Sequence, residues 1–189
     1  MIPYGNQQFD IDPAFPQIHL NFVPWPDNLE GYDVKHGLNT AKLALVILSH
    51  DFPAENTEQN MRALWCGALL HDLGRQKDFR VVDDGCAQRS ALLAEQTLKN
   101  PQHGVEFDAN LREVTCRLIA DHDLANADLP IEPLAQALWD ADAYEACRFR
   151  PGTHDGLKAL KQFTAPDRLC TSWAKDRNNL KRYMNWRGW

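Results

Sequence analysis

The sequence predicts an all-α protein, and three observations carry that prediction. Apolar residues recur at helical spacing in five stretches between residues 33 and 147. No segment alternates apolar and polar residues with period two, as a half-buried strand would. Proline and glycine fall between the helical stretches, at Pro53, Gly74 and Pro101.

Each element has a local reason. Residues 1–31 hold five prolines (Pro3, Pro13, Pro16, Pro24, Pro26) and little helical period, so they read as an extended arm on the surface. From Lys35 to His50 the chain is apolar on most of its circumference, through Leu38, Ala41 and Leu43–Leu48. Such a helix belongs in the middle of a fold, and Pro53 ends it. A second helix is expected from Asn56 or Thr57 through MRALWCGALL to His71, with Gly74 as its stop. A third spans Gln88 to Lys99, before Pro101. A fourth opens at Asn110, with Glu113 as capping-box partner, and runs to about Asp121. A fifth covers Ile131 to Cys147, and shorter helices follow at 157–163 and 167–185.

With 189 residues, 44% hydrophobic and 24% charged, the whole of 1–189 reads as a single domain with ordinary globular composition. Its parts are the arm (1–31), a helical core (32–148) and a C-terminal helical extension (149–189). Cys66, Cys86, Cys116, Cys147 and Cys170 are dispersed and form no CxxC, which fits free thiols in a reducing compartment. The opening MIPYGNQQFDID lacks a basic and apolar leader, and the longest apolar run, Leu43–Leu48, is too short to cross a bilayer. A cytoplasmic protein without a membrane partner is the expectation. Charge is uneven: six basic and two acidic residues follow Pro166, leaving 14 basic and 24 acidic residues elsewhere. An acidic body argues against binding extended nucleic acid, but it accommodates a small phosphorylated ligand held by local positive charge.

Four of the seven histidines precede an aspartate: His50-Asp51, His71-Asp72, His122-Asp123 and His154-Asp155. Context separates them. His50-Asp51 closes a helix and reads as exposed, and His154-Asp155 lies in the turn-like PGTHDG. His71-Asp72 follows the apolar GALL and meets the stop at Leu73-Gly74. Neighbouring side chains in a regular helix point about 100° apart, so two of them converge more easily where a helix ends. His36 lies in line with Thr40, Leu43 and Ile47; alone, it reads as a buried histidine bonded to backbone. Asp142 shares a face with Ala135, Leu138, Trp139 and Ala146, where an aspartate is costly unless paired or metal-bound. Asp140, on the Gln136–Tyr144 face, is the weaker candidate. His122, above Leu118, Thr115 and Leu111, also faces inward. One metal ion is the simplest partner for His36, His71, Asp72 and Asp142 together.

GALLHDLGR, the upstream His36 and DADAYEA together resemble the HD-domain superfamily. Its order of His, His-Asp and distal Asp appears as His36-x34-His71-Asp72-x69-Asp142, over residues 32–148. Ala141 before the last aspartate favours Asp142 over Asp140. The resemblance implies about five helices around a metal centre with His36, His71, Asp72 and Asp142 as ligands. Many members are phosphohydrolases of nucleotides or other small phosphorylated molecules. By that likeness the protein is a metal-dependent phosphohydrolase in which a metal-activated water attacks phosphorus. Asp72 would share the water's proton, and His122 would orient the water or protonate the leaving oxygen. Arg75, Lys77 and Lys35 are the candidate phosphate-binding residues, whereas Arg80 reads as a surface charge. Two imidazoles and two carboxylates suit manganese, iron, cobalt, nickel or zinc better than calcium.

Two alternatives stand beside this. A di-iron branch of the superfamily oxidises small polar substrates and uses two more histidines. His122 fits the second, but Cys86 or Arg89 stands where the first would help, and His103 lies beyond Pro101. A non-catalytic ligand-binding domain is the other. Trp173, Tyr183, Trp186 and Trp189 mingle with Arg177, Lys181, Arg182 and Arg187, a mixture able to stack on bases. The favoured reading of that segment is docking through Leu169, Trp173, Leu180 and Met184, on the body or on a second subunit. A homodimer is expected only on general frequency.

Overall fold

The computed structural model describes residues 34–76, 85–99, 107–122, 128–145 and 164–187, without the side chains at 34, 35, 166 and 184–187. The expected arm at 1–31 and the expected helix at 157–163 lie outside these residues. Among the described residues the order is α1 (Val34–Asp51), α2 (Glu58–Leu70), α3 (Cys86–Leu98), α4 (Ala109–Ala120), α5 (Pro133–Glu145), α6 (Ser172–Lys175) and α7 (Arg177–Arg187). Short 3-10 turns fall at Pro53–Glu55 and Pro166–Arg168, and no strand occurs among them.

The all-round apolar helix is central, as its composition requires. Ala41 and Leu43–Leu48 are buried, and α1 packs against α2 on one side and α5 on another. The approach of α1 to α2 is so close that a Cβ on Gly37 would stand 2.4 Å from the carbonyl oxygen of Leu69. Only a hydrogen at that position lets the two backbones touch. α4 covers α2 and α3. None of the described helices is long and apolar enough to cross a membrane.

Helix ends follow local chemistry more closely than periodicity does. Thr57 caps α2 by accepting from the Asn60 amide at 3.2 Å. α3 begins at Cys86, two residues before the expected Gln88, because Gly85 takes a left-handed φ of 77° and turns the chain into the helix. The expected cap at Asn110 is corrected: Asp108 caps α4, accepting from the Leu111 amide at 2.7 Å, and Asn110 lies inside the helix. Pro133 opens α5, where its missing N–H costs nothing.

The single helix expected over 167–185 is divided. Thr171 caps α6, and Asp176 adopts an extended conformation that breaks α6 from α7. This segment docks on the body. Leu169, Trp173, Leu180 and Tyr183 are buried, Tyr144 donates to the Ala174 carbonyl at 2.7 Å, and the Trp139 indole donates to the Arg168 carbonyl at 2.8 Å. Trp173 and Tyr183 are therefore covered and do not offer faces to bases. The side chains of Met184, Trp186 and Arg187, and Trp189, lie outside the described residues. Cys66, Cys86, Cys116 and Cys170 form no disulfide among the described residues.

Candidate metal centre

Four helix-level devices bring the centre together. Gly37 seats the first turn of α1, with His36, against the last turn of α2. The end of α2 then places His71 at the C-cap and Asp72 in the following turn. That turn is closed by the Arg75 amide donating to the Asp72 carbonyl at 3.0 Å. α3 pins it from outside: the Gly74 amide donates to Ser90 Oγ at 2.8 Å, and Arg89 Nε donates to the Gly74 carbonyl at 3.0 Å. A Cβ on Gly74 would meet the Ser90 nitrogen at 2.5 Å, so this contact also requires glycine. α5, which packs against both α1 and α2, supplies Asp142.

The four side chains meet. His36 Nε2 lies 3.1 Å from His71 Nε2, 3.1 Å from Asp72 Oδ2 and 3.2 Å from Asp142 Oδ1. His71 Nε2 lies 3.2 Å from Asp72 Oδ2 and 3.3 Å from Asp142 Oδ1. One donor atom from each residue falls within 4.8 Å of all the others, and none of the four residues is more than 9% exposed. His71 Nδ1 is committed to the Ala68 carbonyl at 2.7 Å, and His36 Nδ1 faces Thr40 Oγ1 at 3.5 Å. Nε2 of each ring is thereby turned to the centre.

The donor set fits a divalent cation. Neutral His71, giving its proton to Ala68, aims a bare lone pair at carboxylate lone pairs. Such a cluster needs a positive charge at its middle, either a proton or a metal ion. Metal–ligand bonds of about 2.0–2.2 Å put neighbouring ligand atoms about 3.0–3.5 Å apart, which is the spacing found here. The protonation balance shows the same demand. Burial works against charge on His71, yet Asp72 and Asp142 outweigh it and raise the imidazole well above its usual 6.5. Burial likewise opposes charge on Asp72 and Asp142, but the charge of His71 and hydrogen bonds from His36 and His71 pull both carboxyls below 3.8.

His122 stands at the edge. It is 5% exposed, its ring meets the His71 ring edge-on with centroids 4.8 Å apart, and Nδ1 donates to the Ile119 carbonyl at 2.5 Å. Burial, and then the charge on His71, lower its pKa below 6.5, so it stays neutral beside the cluster.

The other candidates sort differently. Asp140 is turned away, accepting from the Cys170 amide at 2.9 Å, the Thr171 amide at 2.8 Å and the Thr171 hydroxyl at 2.6 Å. Burial raises its pKa, and those bonds only partly offset it. The reading of His50-Asp51 as exposed is corrected for the aspartate. His50 faces solvent, but Asp51 accepts from the Ser172 hydroxyl and, at 2.9 Å, from the Trp173 amide in the first turn of α6. Arg75 is partly buried at the end of the His-Asp turn. The side chain of Lys35, and all of Lys77, Arg80, His103, Asp123 and His154-Asp155, lie outside the described residues.

Two contributors escaped the sequence reading. Gly37 and Ser90 hold the elements in register, and the only hint was a glycine one residue after His36 in an otherwise apolar helix. Cys86, seen in the sequence only as a departure from a histidine pattern, lies with Sγ 4.0 Å from Asp72 Oδ1.

Neither a search of curated proteins nor one of solved structures finds a match. A family model described as HD domain matches residues 34–147, a span that begins with α1 and contains all four clustered residues. The chain belongs to the HD-domain family.

Proposed function

We propose that the protein is a metal-dependent phosphohydrolase acting on a nucleotide or another small phosphorylated metabolite. The observation that carries the reading is the meeting of two imidazole nitrogens and two carboxylates at 3.1–3.3 Å in a buried cluster. His36, His71, Asp72 and Asp142 would hold the ion, which is manganese, iron, cobalt, nickel or zinc by donor type. When bound, such an ion acidifies a coordinated water and polarises a phosphoryl oxygen.

The remaining chemistry falls to the chain. Asp72 faces the cluster through Oδ2 and keeps Oδ1 on another side, where it can take a proton from the attacking water. His122 is held neutral and fixed by its bond to Ile119, which suits it to orient that water or to pass a proton to the leaving oxygen. Arg75, three residues after Asp72, is the nearest candidate in sequence to hold phosphate oxygens, with Lys77 and Lys35 as further ones. The oxygenase alternative asks for a histidine where Cys86 or Arg89 stands; hydrolysis asks for none.

The test is a phosphate-release screen over nucleotides and sugar phosphates with several divalent metals, with Asp72→Ala as control. Metal-dependent release that Asp72→Ala loses by more than about 100-fold supports the reading. Equal turnover by the variant overturns it.

A further inference from the structure

The two imidazoles of the centre are held from behind by partners of different kinds. His71 Nδ1 lies 2.7 Å from the Ala68 carbonyl, which can only accept, so the neutral ring keeps its proton there and turns a bare Nε2 to the centre. His36 Nδ1 meets a hydroxyl instead, Thr40 Oγ1 at 3.5 Å. A hydroxyl donates or accepts as its proton turns, so it suits a ring protonated at either nitrogen. Both residues are buried, so bulk water does not stand in for that hydroxyl.

We propose that Thr40 is a positioning residue for His36, whose hydroxyl lets the ring exchange its proton from Nε2 to Nδ1 in place when a divalent cation enters the centre. The inference rests on the four-residue centre holding an ion, as in the proposed function.

Three observations support it. The hydroxyl is aimed at the ring and not at the helix backbone. Elsewhere in the fold, helical hydroxyls donate to the carbonyl four residues back: Ser49 to Leu45 at 2.9 Å, Thr97 to Leu93 at 2.8 Å and Thr115 to Leu111 at 2.8 Å. Thr40 stands in the same relation to His36, one turn on along α1, yet among the described residues its hydroxyl meets only the ring nitrogen. On the other side of the ring, Nε2 lies 3.1 Å from Asp72 Oδ2 and 3.2 Å from Asp142 Oδ1, distances at which Nε2–H donates to a carboxylate. A cation bound there needs the opposite, a bare Nε2 with the proton on Nδ1. The contact with Thr40 is also long for a hydrogen bond, so the hydroxyl follows the ring proton and does not pin it to one nitrogen.

The exchange leaves the charge of the ring as it was. One proton leaves Nε2 for water and one is taken up from water at Nδ1, so His36 releases no net proton. Thr40 donates to Nδ1 in the first form and accepts from Nδ1–H in the second. Loss of the hydroxyl falls more heavily on the metal-bound form, where a buried N–H is left without an acceptor and Nε2 becomes a poorer ligand.

Two-bond proton–nitrogen spectra of the histidine rings test this in the full-length protein, recorded metal-free and loaded with zinc. The expected result is His36 protonated at Nε2 alone without metal and at Nδ1 alone with zinc. The same pattern in both states, or Nδ1 already protonated without metal, overturns the inference. Calorimetric zinc titration of two variants gives a second readout. Thr40→Val, close in volume but without the hydroxyl, is expected to bind roughly tenfold more weakly or worse, whereas Thr40→Ser, which keeps it, binds close to the wild type. A valine variant as tight as the wild type, or a serine variant as weak as the valine one, overturns the inference. Should Thr40→Val fail to fold, the wild-type spectra still decide. Proton exchange with zinc bound but no phosphate release supports the inference and overturns only the hydrolase reading. If the wild-type protein binds no zinc, manganese or cobalt, both fall.

Discussion

Asp140 and Asp142 stand two residues apart on α5, both buried, and they face different partners. Asp140 faces the C-terminal segment and is met by hydrogen-bond donors: two amides and a hydroxyl at 2.6–2.9 Å. Asp142 faces the core of the bundle, where its Oδ1 meets two imidazole nitrogens at 3.2 and 3.3 Å. The first is satisfied by the chain itself. The second is satisfied only if a positive charge enters with it. Burial alone does not separate a structural carboxylate from a ligand; the kind of atom facing it does.

The comparison can be broken most directly by exchanging the two losses. Asp142→Ala is expected to cut metal-dependent turnover by more than about 100-fold, since it removes a member of the metal centre. It should leave the fold in place, because it also removes a buried negative charge. Asp140→Ala should do the reverse. Three donors lose their acceptor, costing about 2–4 kcal/mol of stability in denaturant unfolding, while affinity for manganese stays near that of the wild type. If Asp140→Ala lost the metal and Asp142→Ala did not, the assignment of the two carboxylates would be reversed.

Gly37→Ala sharpens the account of how the centre is assembled. Its Cβ would stand 2.4 Å from the Leu69 carbonyl oxygen, so α1 and α2 must separate, at a cost of about 1–3 kcal/mol. Metal affinity should fall together with thermal stability, because the same movement draws His36 from His71. On the C-terminal side, Asp51→Asn weakens the bonds to the Ser172 hydroxyl and the Trp173 amide and should cost about 1 kcal/mol, with no change in metal binding.

Acidity separates the two regions as well. In the metal-free protein, burial opposes charge on His71 but Asp72 and Asp142 raise its pKa well above 6.5. The stability from that charged imidazole is fully present below pH 6.5, the unfolded value, and is lost as pH rises through the raised folded value. The lowered carboxyls of Asp72 and Asp142 contribute above pH 3.8, and that contribution is lost as pH falls through their folded values. A cation competes with the proton on His71. The gain in melting temperature on adding metal should therefore widen as pH rises above 6.5. A gain that narrows over that range would contradict the arrangement.

Much of this was legible in the sequence, and the rest was illegible for physical reasons. The apolar circumference of Leu43–Leu48 announced a central helix, and a helix stop at Gly74 announced where His71 and Asp72 could converge. Asp142 stood out because an aspartate interrupted an apolar face, and Ala141 with the HD pattern placed it ahead of Asp140. What Asp140 does instead was not readable, since its partners at Cys170 and Thr171 lie 30 and 31 residues away. Asp51 was misread for the same reason: its partner Ser172 is 121 residues distant. The cap of α4 was misplaced by two residues because Asp108 and Asn110 are both good capping types and periodicity does not choose between them. The contact of Cys86 with Asp72 depends on how α3 lies against the end of α2, which no local pattern records.

The central claim is that His36, His71, Asp72 and Asp142 hold one divalent ion in common. Calorimetric titration of metal-free protein with manganese, run in parallel on wild type, Asp142→Ala and Asp140→Ala, tests it most directly. The account predicts one equivalent for the wild type, nearly the same affinity for Asp140→Ala, and a loss of more than about 100-fold for Asp142→Ala. Equal affinity in all three proteins would contradict it.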